Sequence, residues 1–224
     1  MSQLEIEIKS LLGEEAEARE LVRKMMVCDP ETCVISENKQ LNHYFTGGDL
    51  ELLLEKVAPI LSSEQQAMLS EIVLKGSDFS VRTRQRNEEV LLVVKAAIDG
   101  GSSENGVSRL EFEEPVDITL DELDALLVEA GFIYQAKWSR ERQEYKYKDI
   151  NVCLDKNAGY GYLAEFETVT SDEVNLAEIR ERLLGHMSEL GVEELPQERL
   201  ARMFDHYNDN WQDYYGTDKV FKIE

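Results

Sequence analysis

Charged residues recur at every second position inside apolar stretches of this chain, and that spacing limits its fold more than any other feature. Residues 4–9 read Leu-Glu-Ile-Glu-Ile-Lys. Successive side chains of a strand point to opposite faces, so Glu5, Glu7 and Lys9 share one face and Leu4, Ile6 and Ile8 the other. At about 3.3 Å per residue that charged face spans roughly 13 Å. The pattern recurs along the chain. Arg82 and Arg84 oppose Val81 and Thr83, and Arg109, Glu111 and Glu113 oppose Leu110 and Phe112. Arg140 and Arg142 share a face, Glu165 and Glu167 flank Phe166, and Lys95 stands in the apolar run 91–98.

A sheet with one wet face explains such alternation in a single strand. It explains the whole set less well, because solvent faces mix hydroxyls, amides and scattered charges. Here the units are R-x-R and E-x-E. Like charges on one face repel unless something binds between them. Paired arginines suit phosphate oxygens, and paired carboxylates suit a hard divalent cation such as Mg²⁺ or Mn²⁺. Turned inward in a closed barrel, both sets would line a water-filled tunnel suited to a metal–polyphosphate complex.

The remaining elements are consistent with such a frame. Strand patterns cover 4–9, 32–45, 78–86, 89–98, 107–116, 132–147, 150–155 and 162–169. Helical patterns cover 14–26, 49–61, 63–74, 119–130, 175–190 and 196–206, with Asp49, Ser63 and Thr119 as expected N-caps. Residues 99–106 are turn formers, and the segment after 206 is polar and aromatic. The expectation is a single α+β domain over 1–224, an eight-stranded antiparallel β-barrel tunnel with flanking helices. Its strand core covers about 4–169 and its helical part 175–224, and the helices at 49–74 read as an insertion.

Composition narrows the function. The chain has 224 residues with 46 acids against 24 Lys+Arg, a formal net charge of −22. Nucleic acid and anionic membranes both call for a basic face, so neither is expected as a partner. No apolar stretch is long enough to span a bilayer, and the first residues lack the pattern of a signal peptide. Cys28, Cys33 and Cys153 are odd in number and lack C-x-x-C spacing, which disfavours a disulfide framework or structural zinc. A cytoplasmic setting follows as the expectation, with a homodimer left open. With Asp155 of the 150–155 strand, the charged strand residues singled out here are seven acids and seven bases, a neutral set, so the net charge lies elsewhere.

The order of these blocks resembles the CYTH superfamily, the triphosphate tunnel metalloenzymes, which include class IV adenylyl cyclases and thiamine triphosphatases. Glu5-x-Glu7-x-Lys9 resembles its E-x-E-x-K signature, and Gln40-Leu41-Asn42-His43-Tyr44-Phe45 its Q-x-N/D-x-Y-F strand. Val81-Arg82-Thr83-Arg84, Lys95, and Arg109-Leu110-Glu111-Phe112-Glu113 are similar to the blocks that follow. So are Arg140-Glu141-Arg142 with Tyr145, Cys153-Leu154-Asp155, and the run 159–167 ending in Glu165-Phe166-Glu167. The resemblance implies Glu5, Glu7, Asp155, Glu165 and Glu167 as metal ligands. It implies Lys9, Arg82, Arg84, Lys95, Arg109, Arg140 and Arg142 as the phosphate grip, and Glu111 and Glu113 as holders of a second metal or of water. With Glu5, Glu7 and Lys9, those two make the catalytic set. The helices at 49–74 and Arg140, where many members carry Lys, depart from the family pattern.

The expected activity is Mg²⁺- or Mn²⁺-dependent hydrolysis of a small triphosphate: inorganic tripolyphosphate, a nucleoside triphosphate or thiamine triphosphate. The alternatives are cyclisation of ATP to cyclic AMP and pyrophosphate, and triphosphate capture without turnover. Tyr44, Phe45 and Phe112 read as core, Cys153 as a small core residue, and His43, His186 and His206 as ordinary residues. Lys219 and Lys222 read as part of a solvated tail. Trp211, Tyr214 and Tyr215 could pack on the barrel or meet a partner.

Overall fold

The computed structural model describes residues 4–98, 109–170 and 176–223. The turn formers at 99–106 and the expected start of a helix at 175 lie outside the described residues. Eight strands form one antiparallel sheet: β1 (Leu4–Gly13), β2 (Cys33–Gly47), β3 (Gly76–Arg86), β4 (Glu89–Ile98), β5 (Arg109–Val116), β6 (Phe132–Tyr147), β7 (Ile150–Asn157) and β8 (Gly161–Thr170). Their hydrogen-bonded order is β1-β8-β7-β6-β2-β3-β4-β5. Six α-helices among the described residues complete an α+β fold: α1 (Glu15–Cys28), α2 (Leu50–Val57), α3 (Ser63–Lys75), α4 (Leu120–Glu129), α5 (Leu176–Leu190) and α6 (Gln197–Tyr214). The strand count and antiparallel sense match expectation. Hydrogen-bonded closure into a barrel does not: among the described residues β1 and β5 are the two ends of the order. Pro115 in β5 suits an edge, since it has no N–H to donate to a further strand. No helix among the described residues is long and apolar enough to cross a membrane.

Two compact units divide the chain. One holds Met1–Lys39 and Ser139–Glu224, the other Gln40–Trp138. Each has its own core. In the first, Ala18, Leu21 and Met25 on one stripe of α1 and Leu183 and Met187 of α5 pack with Ile8, Val152, Ala164 and Phe166. In the second, Leu53 and Val57 of α2, Leu69 and Ile72 of α3, and Leu123 and Leu127 of α4 pack with Val81, Leu92, Val94 and Phe112. The helical spacing of three and four and the strand spacing of two thus meet in both cores. Burying each of these side chains larger than alanine stabilises by about 1.5–3 kcal/mol.

Local chemistry sets the helix starts. The Asp49 carboxylate accepts from the N–H groups of Glu51 and Leu52 at 2.8 and 3.1 Å. Thr119 and Glu122 form a capping box, as expected. For α3 the cap is Ser62 rather than Ser63, because Gln65 three residues on completes the box from Ser62. The last helix is longer than its pattern predicts: α6 runs to Tyr214 through a kink at Asn210. Tyr207 and Tyr214 stack at 5.9 Å, and Phe221 packs on Tyr214 and Tyr160 at 5.3 Å. The segment after α6 is not a solvated tail along its backbone. Gly159 donates to the Lys219 carbonyl at 2.9 Å and accepts from the Phe221 N–H at 2.8 Å. Gly159 has φ +81°, and a Cβ there would lie 2.7 Å from Tyr207.

Candidate functional site

In the first unit, the register of β1, β8, β7 and β6 brings alternate positions together. Glu7 pairs with Glu167 and Lys9 with Glu165 across β1 and β8. Glu165 is opposite Cys153, and Arg142 is opposite Asp155. The odd-even alternation sends Ile8, Val152, Ala164 and Phe166 into the core and leaves the charged partners on the other face. Glu5 sits opposite Val169 in the ladder, and its side chain lies outside the described residues.

The charges on this face are paired. Arg142 donates from Nε to Asp155 Oδ1 and from Nη2 to Asp155 Oδ2, both at 2.7 Å, and also bonds Glu165. Arg140 Nη1 reaches Asp155 Oδ2 at 2.9 Å. The Lys9 ammonium lies 3.4 Å from Glu165 and 2.5 Å from Glu7. Asp155 is 1% exposed and Glu165 8%. Burial alone would raise the Glu165 pKa, but Lys9, Arg142 and Arg140 outweigh it and hold the carboxyl down at about 2. Burial would likewise lower the Lys9 pKa, and Glu165 and Glu7 together keep it above its ordinary value. The Arg142 pKa is raised: its two carboxylates outweigh burial.

Glu7, Glu165 and Glu167 place carboxylate oxygens within 4.8 Å of one another, as do the ligand atoms of Glu144, Cys153 and Glu167. The first group is all oxygen, the donor set that Mg²⁺ and Mn²⁺ prefer. Asp155, expected as a ligand, has both oxygens in contact with Arg140 and Arg142. Glu144 carries no role in the expected set. It stands two residues beyond Arg142 on the same strand face, which is the signal that reveals it. Cys153 is buried as expected, and burial pushes its thiol pKa up.

The second unit carries a parallel arrangement. Arg84 donates from Nε to Asn42 Oδ1 and from Nη1 to Glu113 Oε1, each at 2.7 Å. Lys95 meets Glu111 at 2.7 Å. Arg82 Nη1 reaches the Tyr44 hydroxyl at 3.1 Å, and its guanidinium carbon stands 4.9 Å from the centre of that ring. Arg109 begins β5 opposite Ala97, and its side chain lies outside the described residues. Phe45 and Phe112 are core, but Tyr44 is not in the core cluster, because it sits on the arginine face.

On the opposite, helix-covered face His43 is no ordinary residue. Its Nδ1 is 2.7 Å from Asp124, which also accepts from Thr83 at 2.6 Å and Tyr134 at 2.7 Å. Burial would raise the Asp124 pKa, and these partners lower it instead. The signal was present in α4, where Asp124 falls on the same stripe as Leu120, Leu123 and Leu127.

The family model of the CYTH domain matches residues 69–199. The chain belongs to the CYTH family. The match covers the arginine strand, Lys95, the R-x-E-x-E strand, Arg140, Arg142, Asp155, Glu165 and Glu167, and it runs on through α5. The Glu5–Lys9 and Gln40–Phe45 blocks precede it. No curated protein matches. Among solved structures, this CYTH protein is similar to the PH1819 protein of Pyrococcus horikoshii OT3, with TM-score 0.60 and 21% identity over 90% of this chain and 98% of that one. It is also similar to a candidate adenylate cyclase of Vibrio parahaemolyticus, with TM-score 0.56 and 19% identity over 90% and 99%. A candidate adenylyl cyclase of Hippeastrum with a dominant triphosphatase activity gives TM-score 0.51 and 17% identity over 91% and 96%. These likenesses show a shared fold.

Proposed function

We propose that this CYTH protein hydrolyses a small triphosphate in a divalent-metal-dependent reaction. The observation that carries the reading is the single face holding Glu7, Glu165 and Glu167 with Lys9 and Arg142. Carboxylates close enough to share a cation stand beside cations suited to phosphate oxygens, and pure anion capture has no use for the acids. Glu7, Glu165 and Glu167 would hold Mg²⁺ or Mn²⁺, with Glu5 as a further ligand and Asp155 bracing the arginines. When bound, the ion would supply charge neutralisation and polarisation of the phosphoryl group. Lys9, Arg140 and Arg142 bind phosphate oxygens in the first unit, and Arg82, Arg84, Lys95 and Arg109 do so in the second. Glu111 and Glu113 orient water and take up its proton. The dominant triphosphatase activity of the Hippeastrum neighbour supports hydrolysis over cyclisation. No ribose pocket or base for a 3′-hydroxyl is evident in the sequence blocks.

The test is incubation of the purified full chain with tripolyphosphate, ATP or thiamine triphosphate and Mg²⁺ or Mn²⁺. Orthophosphate release that Glu165→Gln abolishes is the expected result. Cyclic AMP with pyrophosphate from ATP would replace the reading with the cyclase, and binding without product would replace it with a capture module.

A further inference from the structure

The face of β2 that meets the arginines carries three polar side chains at spacing two: Gln40, Asn42 and Tyr44. In the ladder they stand opposite Arg86, Arg84 and Arg82 in turn. Gln40 and Asn42 are buried, an expensive place for an amide unless its hydrogen bonds are made. Asn42 Nδ2 donates to Gln40 Oε1 at 3.4 Å, and Asn42 Oδ1 accepts from Arg84 Nε at 2.7 Å. The two bonds define the amide. With its NH₂ committed to Gln40, only the oxygen can face Arg84, and a flipped amide would set donor against donor. Glu113 holds a second corner of the same guanidinium, at Nη1. Two corners fix a plane. Tyr44 does the corresponding work on Arg82 through its hydroxyl and ring. The Nε of Arg82 is buried and has no hydrogen-bond partner among the described residues, so this arginine is held with a donor still to satisfy.

We infer that Asn42 and Tyr44, with Gln40 fixing the Asn42 amide, are positioning residues that orient the Arg84 and Arg82 guanidiniums for the triphosphate. This rests on the function proposed above and adds residues to which no role was assigned. An arginine carries substantial rotamer entropy, and a guanidinium whose plane is already set loses less of it on binding an anion. Deleting the acceptor therefore weakens binding without removing any group that touches substrate.

The experiment compares wild type, Asn42→Leu, Asn42→Asp and Tyr44→Phe. Tripolyphosphate affinity is read by calorimetry with Mg²⁺ present, with Glu111→Gln added to every variant if turnover intervenes, and solvent exchange of the Arg84 Nε–H by NMR. Asn42→Leu should weaken binding roughly two- to tenfold and speed the Nε–H exchange. Asn42→Asp keeps the acceptor and should restore both. Tyr44→Phe should weaken binding by about twofold, since the ring remains. Unchanged exchange and affinity in a folded Asn42→Leu overturn the inference. If Asn42→Leu does not fold, Asn42→Asp and Tyr44→Phe still decide. Slow Nε–H exchange with wild-type affinity in Asn42→Asp supports the inference, and fast exchange there overturns it. Failure of the underlying functional reading looks different: the wild type itself then releases no orthophosphate from tripolyphosphate, whatever its affinity.

Discussion

Arg142 offers the most direct measure of how far the charged face of the first unit is preassembled. It holds both oxygens of Asp155 at 2.7 Å and also bonds Glu165. Its acid partners are 1% and 8% exposed, so water cannot easily replace it. Removing one partner of a buried ion pair costs about 3–5 kcal/mol, because the other charge stays buried and uncompensated. In Arg142→Met two contacts survive, Arg140 to Asp155 at 2.9 Å and Lys9 to Glu165 at 3.4 Å. The cost should therefore fall at the low end, about 3 kcal/mol. For a chain of this size that is a fall of about 6–12 °C in Tm by calorimetry. Asp155→Leu added to Arg142→Met removes one under-compensated carboxylate but also takes away the Arg140 contact, so it should recover only part of the loss. A loss under about 1 kcal/mol for Arg142→Met would refute the reasoning, because that is the scale of a solvent-screened surface pair.

Further consequences follow from other groups. Asp124→Ala strips the buried His43 and Thr83 of their acceptor and should cost about 3 kcal/mol in urea denaturation; a loss under about 1 kcal/mol would mean that the network contributes little. The Glu165 carboxyl is held at about 2 against an ordinary value of 4.5. Its contribution is therefore fully present above pH 4.5 and lost as pH falls toward about 2, so Glu165→Gln should flatten the acid limb of a stability–pH curve. Gly159→Ala puts a Cβ 2.7 Å from Tyr207 at a φ of +81°. It should cost about 1–3 kcal/mol and speed proteolysis of the segment after α6; unchanged cleavage would show that the segment does not depend on Gly159.

Much of this was legible in the sequence because strand periodicity is local. The period of two assigned Glu7, Lys9, Arg82, Arg84, Glu165 and Glu167 to common faces before any register was known. What periodicity cannot supply is the partner across the sheet. The family resemblance implied Asp155 as a metal ligand, and only the ladder that puts it opposite Arg142 reveals that it also braces two guanidiniums. Tyr44 looked like core because aromatics usually are, yet its place opposite Arg82 puts it on the polar face. Closure was inferred from charge, a property of side chains, whereas hydrogen-bonded closure depends on backbone edges, and β5 carries Pro115 there. The helix starts at Asp49 and Thr119 were readable from capping chemistry. The end of α6 was not, since residues 207–214 have the composition of a tail and are held by aromatic packing.

The resting pairs of the first unit also imply a linkage that neither partner set shows alone. Glu7 and Glu165 neutralise Lys9, and Glu165 and Asp155 neutralise Arg142. A phosphate reaching these cations must compete with carboxylates already in place. A divalent cation shared by Glu7, Glu165 and Glu167 draws on two of those same carboxylates. Each ligand thus frees the partners of the other, and the two should bind with positive coupling. Such coupling is reciprocal by necessity: if Mg²⁺ tightens tripolyphosphate by some factor, tripolyphosphate must tighten Mg²⁺ by the same factor. A factor of about 5–150 is the usual scale for coupled sites. Calorimetry in both orders measures it, on a Glu111→Gln or Glu113→Gln background if turnover intervenes, and correction for complexation of Mg²⁺ by free tripolyphosphate isolates the protein's share. Independent binding would show that the acids and bases of this face do not compete for one another. The paired geometry of Lys9, Arg142 and Glu165 would then be a structural brace rather than the resting state of a site.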